Sequence, residues 1–256
     1  SLSFTPAPDP DESFKGTNYY HFSVKVEVTS LNGETQKGQT GIRVGERSML
    51  LTASADPVWE QKTPGWVKVE ARSLNDSLLT RTVQYELYYL ADNGKYREDQ
   101  NTEYRNRKLV KSGSFVSSDS LQLNLRNAPT GHYRIKFSSL DHRNDTVVAE
   151  KDFIVYAAGH RRPPVTTYLW NPVPEMEAQP GSKVKLTIGT SVKKAWILYE
   201  VVQGTNTLSR QWIKLNARNR QIDLQLPDTL KDGVVAKFAI MRDGNLHSTQ
   251  ITVRIP

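Results

Sequence analysis

Histidines are the first side chains to consider for chemistry, because imidazole binds metals and transfers protons near neutral pH. The chain contains five of them, namely His21, His132, His142, His160 and His247. None belongs to an H-x-x-x-H or similar ligand pair, and each falls at the end of a strand-like segment or in a loop. We therefore predict surface histidines rather than metal ligands or general bases.

The stretch DHRND, Asp141 to Asp145, gathers two carboxylates and an imidazole, a combination that could bind a metal or transfer protons. It lies between two strand-like segments, where Asp and Asn are common because they form turns. The stretch GTS, Gly189 to Ser191, is not a G-x-S-x-G nucleophile elbow, and no glycine-rich phosphate loop occurs in the sequence. We therefore predict a turn at DHRND, and no catalytic, cofactor-binding or metal-binding residue.

Aromatic side chains suggest a different activity, the stacking of sugar rings. Those in the strand-like segments are Trp59, Trp66, Tyr85, Tyr88 and Tyr89 in the first half, and Trp170, Trp196, Tyr199 and Trp212 in the second. Aromatic residues at alternating strand positions usually pack inside a β-sandwich, so we predict core residues rather than a sugar-binding platform. Because Tyr88 and Tyr89 are consecutive, one of them must face away from the core, where it can contact a neighbouring domain.

Basic residues outnumber acidic ones by 34 to 27, which gives a net charge of +7. They are scattered through strand patterns, as is typical of a solubilising charge. Arg105, Arg107 and Lys108 end a long loop, Asp92 to Arg107, which also carries several carboxylates, and Arg218 and Arg220 flank a turn asparagine. This mixture argues against nucleic-acid binding, which needs a continuous basic stripe interleaved with aromatics. The mixture of basic and acidic residues in Asp92 to Arg107 indicates a solvated loop, and we predict that this segment has the most conformational freedom.

Cysteine is absent, which excludes disulfides, a catalytic thiol and thiolate metal sites within this chain. No apolar run approaches the ~18 residues of a membrane-spanning helix, so we predict no direct membrane insertion of this segment. No signal peptide opens the sequence. For an exported protein we therefore expect the signal or lipid anchor outside this sequence.

Alternating segments between turn signals predict an all-β fold. The first set has seven, the strand count of an immunoglobulin-like sandwich: Ser48 to Ser54, Gly65 to Leu74, Thr82 to Leu90, Lys108 to Phe115, Ser120 to Arg126, His132 to Leu140 and Val147 to Tyr156. No segment shows sustained helical periodicity, so we predict a helix content near zero.

A second set of seven follows a linker, His160 to Gly181, whose five prolines disfavour helix and central strand. Its first member is an edge strand near Thr167 to Trp170. The others are Lys183 to Gly189, Lys194 to Val202, Leu208 to Asn216, Arg220 to Leu226, Val234 to Arg242 and His247 to Ile255. Two consecutive units of similar size and strand count predict a tandem array of sandwiches.

A hairpin precedes both sets. The segment from Phe22 to Val28 alternates apolar and polar residues, and Asn32-Gly33 is typical of a two-residue turn. A two-residue loop would set Val24 opposite Gly41 and place Ile42 on the wrong face. We therefore predict either a β-bulge at Gly38 or Gly41, or a longer loop, since either restores a common apolar face.

Three segments resemble bacterial alpha-2-macroglobulin-like proteins, especially the large ones of Bacteroidetes. VEVTSLNGETQKG, Val26 to Gly38, resembles the V-T-D-x-N-G-E-T hairpin that closes a macroglobulin domain, with Ser30 where that pattern usually has Asp. The stretch from Gly113 to Asp141 is similar to a strand, loop and s-G-x-Y-x-l segment of the family. Pro180 to Val201, together with the final MRDGNLHSTQITVRIP, is similar to the opening and closing strands of the next domain. The resemblance covers most of the chain from about Tyr19 onward.

This resemblance implies tandem immunoglobulin/fibronectin-III-like β-sandwiches, each a macroglobulin domain. We expect the C-terminal strands of one truncated domain in residues 1–46 and complete domains in residues 47–158 and 159–256. The implied function is a non-enzymatic scaffold for protease entrapment and inhibition, in an exported protein of the periplasm or outer membrane. Its implied partners are other macroglobulin domains of the same chain and target proteases, with contacts around Arg47, Tyr156 and the linker. Many members carry a Cys-x-x-Gln thioester, and without cysteine that chemistry lies outside this sequence or is absent.

A different class of function remains open, a cell-surface adhesion or carbohydrate-binding module of immunoglobulin-like repeats. Exposed aromatics clustered on one sheet face would favour it, whereas buried aromatics favour the scaffold. A hydrolase with a composite site would need convergent polar side chains in a deep pocket, and the sequence gives no reason to expect one.

Overall fold

The computed structural model describes residues 19–45, 47–99, 107–230 and 232–256. Within these residues the chain forms strands β1 to β18 and one 3-10 turn, Arg97–Asp99, without an α-helix. The predicted all-β fold is confirmed.

The N-terminal hairpin consists of β1 (Tyr19–Thr29) and β2 (Thr35–Gly45). Its loop is longer than two residues: Ser30 N donates to Glu34 O at 2.9 Å, and Gly33 N donates to Ser30 O at 2.9 Å. Gly33 adopts φ 85°, a conformation that glycine reaches without strain because it has no Cβ. This loop shifts the register so that Phe22 lies opposite Ile42. The predicted longer loop, with a common apolar face, is confirmed.

The first sandwich contains nine strands. They are β3 (Met49–Ala55), β4 (Val58–Glu60), β5 (Gly65–Ser73), β6 (Leu78–Leu79), β7 (Thr82–Leu90), β8 (Arg107–Val116), β9 (Ser120–Leu123), β10 (Gly131–Leu140) and β11 (Thr146–Tyr156). One sheet has the order β4-β11-β10-β7-β8, and the other joins β3, β6 and β9 to β5. All pairings are antiparallel except β4 with β11. The seven predicted strands are present, and β4 and β6 are additional.

Large aromatic side chains fill the core between these two sheets. Trp59 stacks on Phe153 with ring centroids 3.9 Å apart, and Tyr133 and Phe137 have no exposed surface. Tyr133 Oη donates to Pro129 O at 2.6 Å, and burial raises the pKa of Tyr133 to about 12. A tyrosine bonded to the backbone just upstream, near the start of a central strand, is a hallmark of immunoglobulin-like sandwiches.

The second sandwich contains β12 (Glu175–Glu177), β13 (Lys183–Gly189), β14 (Ala195–Gln203), β15 (Asn206–Leu215), β16 (Asn219–Gln225), β17 (Val234–Arg242) and β18 (Asn245–Arg254). Its larger sheet has the order β12-β18-β17-β14-β15, and β13 pairs with β16 in the smaller one. As β4 does with β11, the short β12 runs parallel to the last strand, β18. The two sandwiches therefore repeat one arrangement.

One predicted strand is wrong. Residues Thr167 to Trp170 form only an isolated bridge between Trp170 and Gly189, and the edge position is taken by β12. The hydroxyls of Thr166 and Thr167 bond to a loop of the first sandwich. The domain boundaries at residues 46/47 and 158/159 stay a prediction.

Candidate functional site at the junction of the two sandwiches

The five histidines separate into two groups. His21, His142 and His160 are exposed, as predicted. His132 is buried and lies 3.4 Å from Asp152, and His247 is half-buried, so the surface prediction is wrong for these two. In the described part of the chain, no three His, Asp or Glu side chains group as a metal site.

Asp152 has a structural role. Arg134 donates to both of its carboxylate oxygens, at 2.7 and 2.9 Å. Burial alone would raise the pKa of Asp152, but the bonds from His132 and Arg134 outweigh burial and hold that pKa below its usual range. The carboxylate is thus an ion-pair partner on β11.

Asp141 forms the predicted turn and also connects distant segments. Its carboxylate accepts Arg143 N and Asp145 N, and it also accepts the N–H and hydroxyl of Ser48 at 2.9 and 2.8 Å. The Ser48 N–H, followed by these other donors, holds the pKa of Asp141 well below its usual range. The carboxylate therefore fixes the chain where it enters β3.

The aromatic residues split between core and surface. Trp59, Tyr85, Trp170 and Tyr199 are buried, as predicted, whereas Trp66, Trp196 and Trp212 are exposed by 56%, 55% and 62%. Tyr89 packs on the core against Tyr133, while Tyr88 bonds to Glu86 and lies under Arg107 on the outer face. The prediction that one of Tyr88 and Tyr89 faces away from the core is confirmed. The prediction that the aromatic residues lie in the core is wrong for Trp66, Trp196 and Trp212.

A polar clamp joins the two sandwiches. Asp92, in the loop after β7, accepts both the N–H and the hydroxyl of Thr166 in the linker, at 2.8 and 2.9 Å. Glu98 accepts the Thr167 hydroxyl at 2.6 Å, and Arg97 N donates to Thr166 O at 2.9 Å. The first sandwich therefore binds the linker through its carboxylates and its backbone.

The same linker residues are bound on their other side by the second sandwich. Thr167 N donates to Ser191 Oγ at 3.1 Å, and Ser191 N donates to Thr167 O at 3.0 Å. Trp170 and Gly189 exchange two backbone bonds of 2.8 Å. Ser191, in the GTS stretch, is thus a contact to the linker.

A stack of three rings passes through the junction. The ring centroids of Tyr96, from the first sandwich, and Tyr168, from the linker, are 4.0 Å apart. The ring centroids of Tyr168 and of His247 on β18 are 3.8 Å apart. A small apolar cluster reinforces the contact, with Ile154 of β11 packed against the linker residues Val165 and Trp170. Tyr156, predicted as an inter-domain contact, packs edge-on against Trp170.

The loop after β7 was predicted to have the most freedom, and for Asp92 to Glu98 this prediction is wrong, because that part holds the linker. Arg105 and the rest of residues 100–106 lie outside the described residues. Arg47, the other predicted contact, forms no ion pair within the described ranges, and the neighbouring Ser48 makes the connection to Asp141. Sequence patterns gave no signal for the clamp, since its partners are 69 and 74 residues apart.

Solved structures to which the chain is similar include two bacterial alpha-2-macroglobulins. The native conformation of the Escherichia coli protein has a TM-score of 0.34 and 7% identity, over 93% of this chain and 22% of that chain. A Salmonella alpha-2-macroglobulin mutant has a TM-score of 0.35 and 9% identity, over 91% of this chain and 18% of that one. The chain thus spans about a fifth of the length of these proteins.

A third similar structure is a tetra-tandem repeat from the extending region of a large adhesion protein, with a TM-score of 0.29 and 12% identity over 93% of this chain and 57% of that one. No protein-family model and no curated protein matches the chain. TM-scores and identities this low do not decide a family or a function.

A second surface of interest is the outer face of the larger sheet in the second sandwich. Trp212 lies opposite Leu198, and Lys214 lies opposite Trp196, with its ammonium 5.3 Å from the indole centroid. Met241 and Leu246, paired on β17 and β18, are each 66% exposed. No helix in the described ranges could cross a membrane.

Proposed function

We propose that this chain is a non-enzymatic structural segment of a bacterial alpha-2-macroglobulin-like protein, a scaffold that fixes the relative position of consecutive sandwich domains. The observation that carries the proposal is the clamped junction, where one linker segment is bound on one side by Asp92 and Glu98 and on the other by Ser191. Such a junction transmits a rearrangement from one domain to the next, as protease entrapment requires. The hairpin, strand and closing motifs of the sequence support the family.

The polar side chains that are candidates for catalysis support a non-enzymatic role of the chain. Asp141, Asp152 and Ser191 each bond to a structural partner. The part of the linker at residues 165–170 is also an unsuitable bait for a protease, because Val165, Thr167, Tyr168 and Trp170 are buried. The partners of the segment would be neighbouring macroglobulin domains and a captured protease, in the periplasm or at the outer membrane.

The test is a size-dependent protease assay on the longer protein that carries this segment. After incubation with that protein, we expect a protease to lose activity on a large protein substrate while it keeps activity on a small peptide. The double substitution Tyr96→Ala/Glu98→Ala should weaken this protection, and Arg97→Ala, which removes an exposed side chain from the same loop, should not. Full activity on both substrates would contradict entrapment.

One observation favours a second function, an adhesion or carbohydrate-binding module. Trp196 and Trp212 are exposed on one sheet face, together with Met241 and Leu246. Single exposed apolar residues are ordinary, whereas a group of four large ones on one face is typical of a binding surface. Flat aromatic rings on an open sheet suit the apolar faces of sugar rings.

The carbohydrate function predicts retention of the chain on an immobilised polysaccharide from a panel. The double variant Trp196→Ala/Trp212→Ala should lose this retention. Trp66→Ala is the matched control, because Trp66 is equally exposed but lies on the first sandwich. Equal retention of all three proteins would contradict the sugar-binding face.

A further inference from the structure

A cavity of about 460 Å³ lies between the linker and the outer face of the β13–β16 sheet. The segment 156–162 forms one wall, and Pro172 and Val173 form another. Thr187 and Gln221, which face each other across the two strands, form the floor. A pocket of this volume holds a small ligand or a few residues of a peptide, not a folded domain.

The walls of the cavity are fixed to its floor. Asn219, at the start of β16, donates its side-chain amide to His160 O at 2.9 Å and its backbone N–H to Arg161 O at 2.8 Å. Burial of Trp170 against Ile154 and Val165 holds the opposite side. The site is therefore formed before any ligand arrives, which lowers the entropic cost of binding.

Positive charge lies on the linker side of this cavity. Arg161 and Arg162 line it there, and no Asp or Glu lines it. Neither arginine forms an ion pair within the described residues. The carboxylate two positions beyond Gln221, Asp223, is bound by Lys183 at 2.8 Å. Guanidinium groups pair with carboxylates and phosphates through two parallel hydrogen bonds, so the cavity suits an anionic ligand, and a carboxylate is the anion that a peptide supplies without modification.

The apolar part of the lining further restricts the class of ligand that the cavity can bind. Ala157, Ala158, Pro164 and Val173 suit an aliphatic side chain, whereas a sugar needs many polar partners. Trp170, the indole of the lining, is only 4% exposed and offers no stacking surface. We propose that this cavity binds a short acidic peptide segment in which a carboxylate pairs with the arginines and a neighbouring aliphatic side chain enters the apolar part.

The probe is a fluorescein-labelled hexapeptide of alternating Glu and Leu, followed by fluorescence anisotropy on the whole chain. We expect saturable one-to-one binding that weakens with salt. Removal of two charge-assisted contacts in Arg161→Gln/Arg162→Gln should weaken binding by about tenfold or more. Arg126→Gln/Lys108→Gln removes the same charge from exposed positions of the first sandwich and should leave the affinity within about twofold.

Several outcomes would overturn the proposal: no binding of the Glu/Leu peptide, equal binding of its Gln/Leu counterpart, or equal losses in the two double variants. Stronger binding of an oligogalacturonate than of the peptide would also overturn it, since the ligand would then be an acidic sugar. Amide chemical-shift changes at Thr187 and Gln221 would support the assigned position. Changes confined to the first sandwich would refute it.

Discussion

Asp141 shows how one side chain of the DHRND stretch combines two structural roles. Its position between two strands predicts the turn, which the structure contains. The bonds to Ser48, 93 residues away, have no local signal in the sequence. The same holds for His132, which looks like a strand-end surface residue but is buried beside Asp152. At this scale the sequence predicts local geometry, while distant partners follow only from the folded chain.

The lowered pKa of Asp141 predicts a defined acid sensitivity. A carboxylate whose pKa is lower in the folded state than in the unfolded state stabilises the fold above the unfolded pKa, near 4. That stabilisation declines as the pH falls toward the folded pKa. We therefore expect Asp141→Asn to lower the melting temperature at pH 7 and to have a smaller effect at pH 3.

Thermal unfolding between pH 3 and pH 7 measures this dependence, with Asp145→Asn as the control of equal charge. Asp145 is exposed and takes part in the turn through its backbone. A melting temperature of Asp141→Asn that falls equally at every pH would show that the charge of Asp141 contributes nothing.

Strands are the elements that the sequence predicts best, because alternation directly records one buried and one exposed face. Thr82–Leu90, Lys183–Gly189 and Val234–Arg242 agree with the prediction at both ends. The missed strands, β4, β6 and β12, have two or three residues, too few to show alternation. The Thr167 to Trp170 segment failed for another reason. Glu98 of the first sandwich accepts the Thr167 hydroxyl and the Tyr168 N–H, and only Trp170 pairs with β13.

Close packing of β5 against the core gives a prediction at the scale of this element. Gly65 lies against the Trp59 ring, and an added Cβ would overlap that ring. Because Trp59 is stacked on Phe153, it cannot move without disturbing the core. We expect Gly65→Ala to destabilise the chain by about 1–3 kcal/mol in chemical denaturation.

Gly38→Ala is the control for this substitution, because no atom lies within 4 Å of the Cβ that it adds in β2. The control should leave the denaturation midpoint within error of the wild type. Equal midpoints for Gly65→Ala and the wild type would contradict the close contact between β5 and Trp59.

At the scale of the whole molecule, the sequence predicts two sandwiches in tandem but not how they are joined. Composition indicates a solvated loop after β7 and a proline-rich linker. Neither interpretation indicates that the loop and the linker bind each other. The carboxylates of Asp92 and Glu98 look like solubilising charges until Thr166 and Thr167 are placed beside them. The function proposed for the chain depends on this junction more than on any single strand.

The most direct measurement is the distance between the two sandwiches by double electron–electron resonance. The chain has no cysteine, so spin labels at Thr52→Cys and Lys237→Cys, both exposed, report one distance. We expect a single narrow distribution, which Arg97→Ala preserves and Tyr96→Ala/Glu98→Ala broadens. A wild-type distribution as broad as that of the double variant would contradict the clamped junction, and with it the scaffold function.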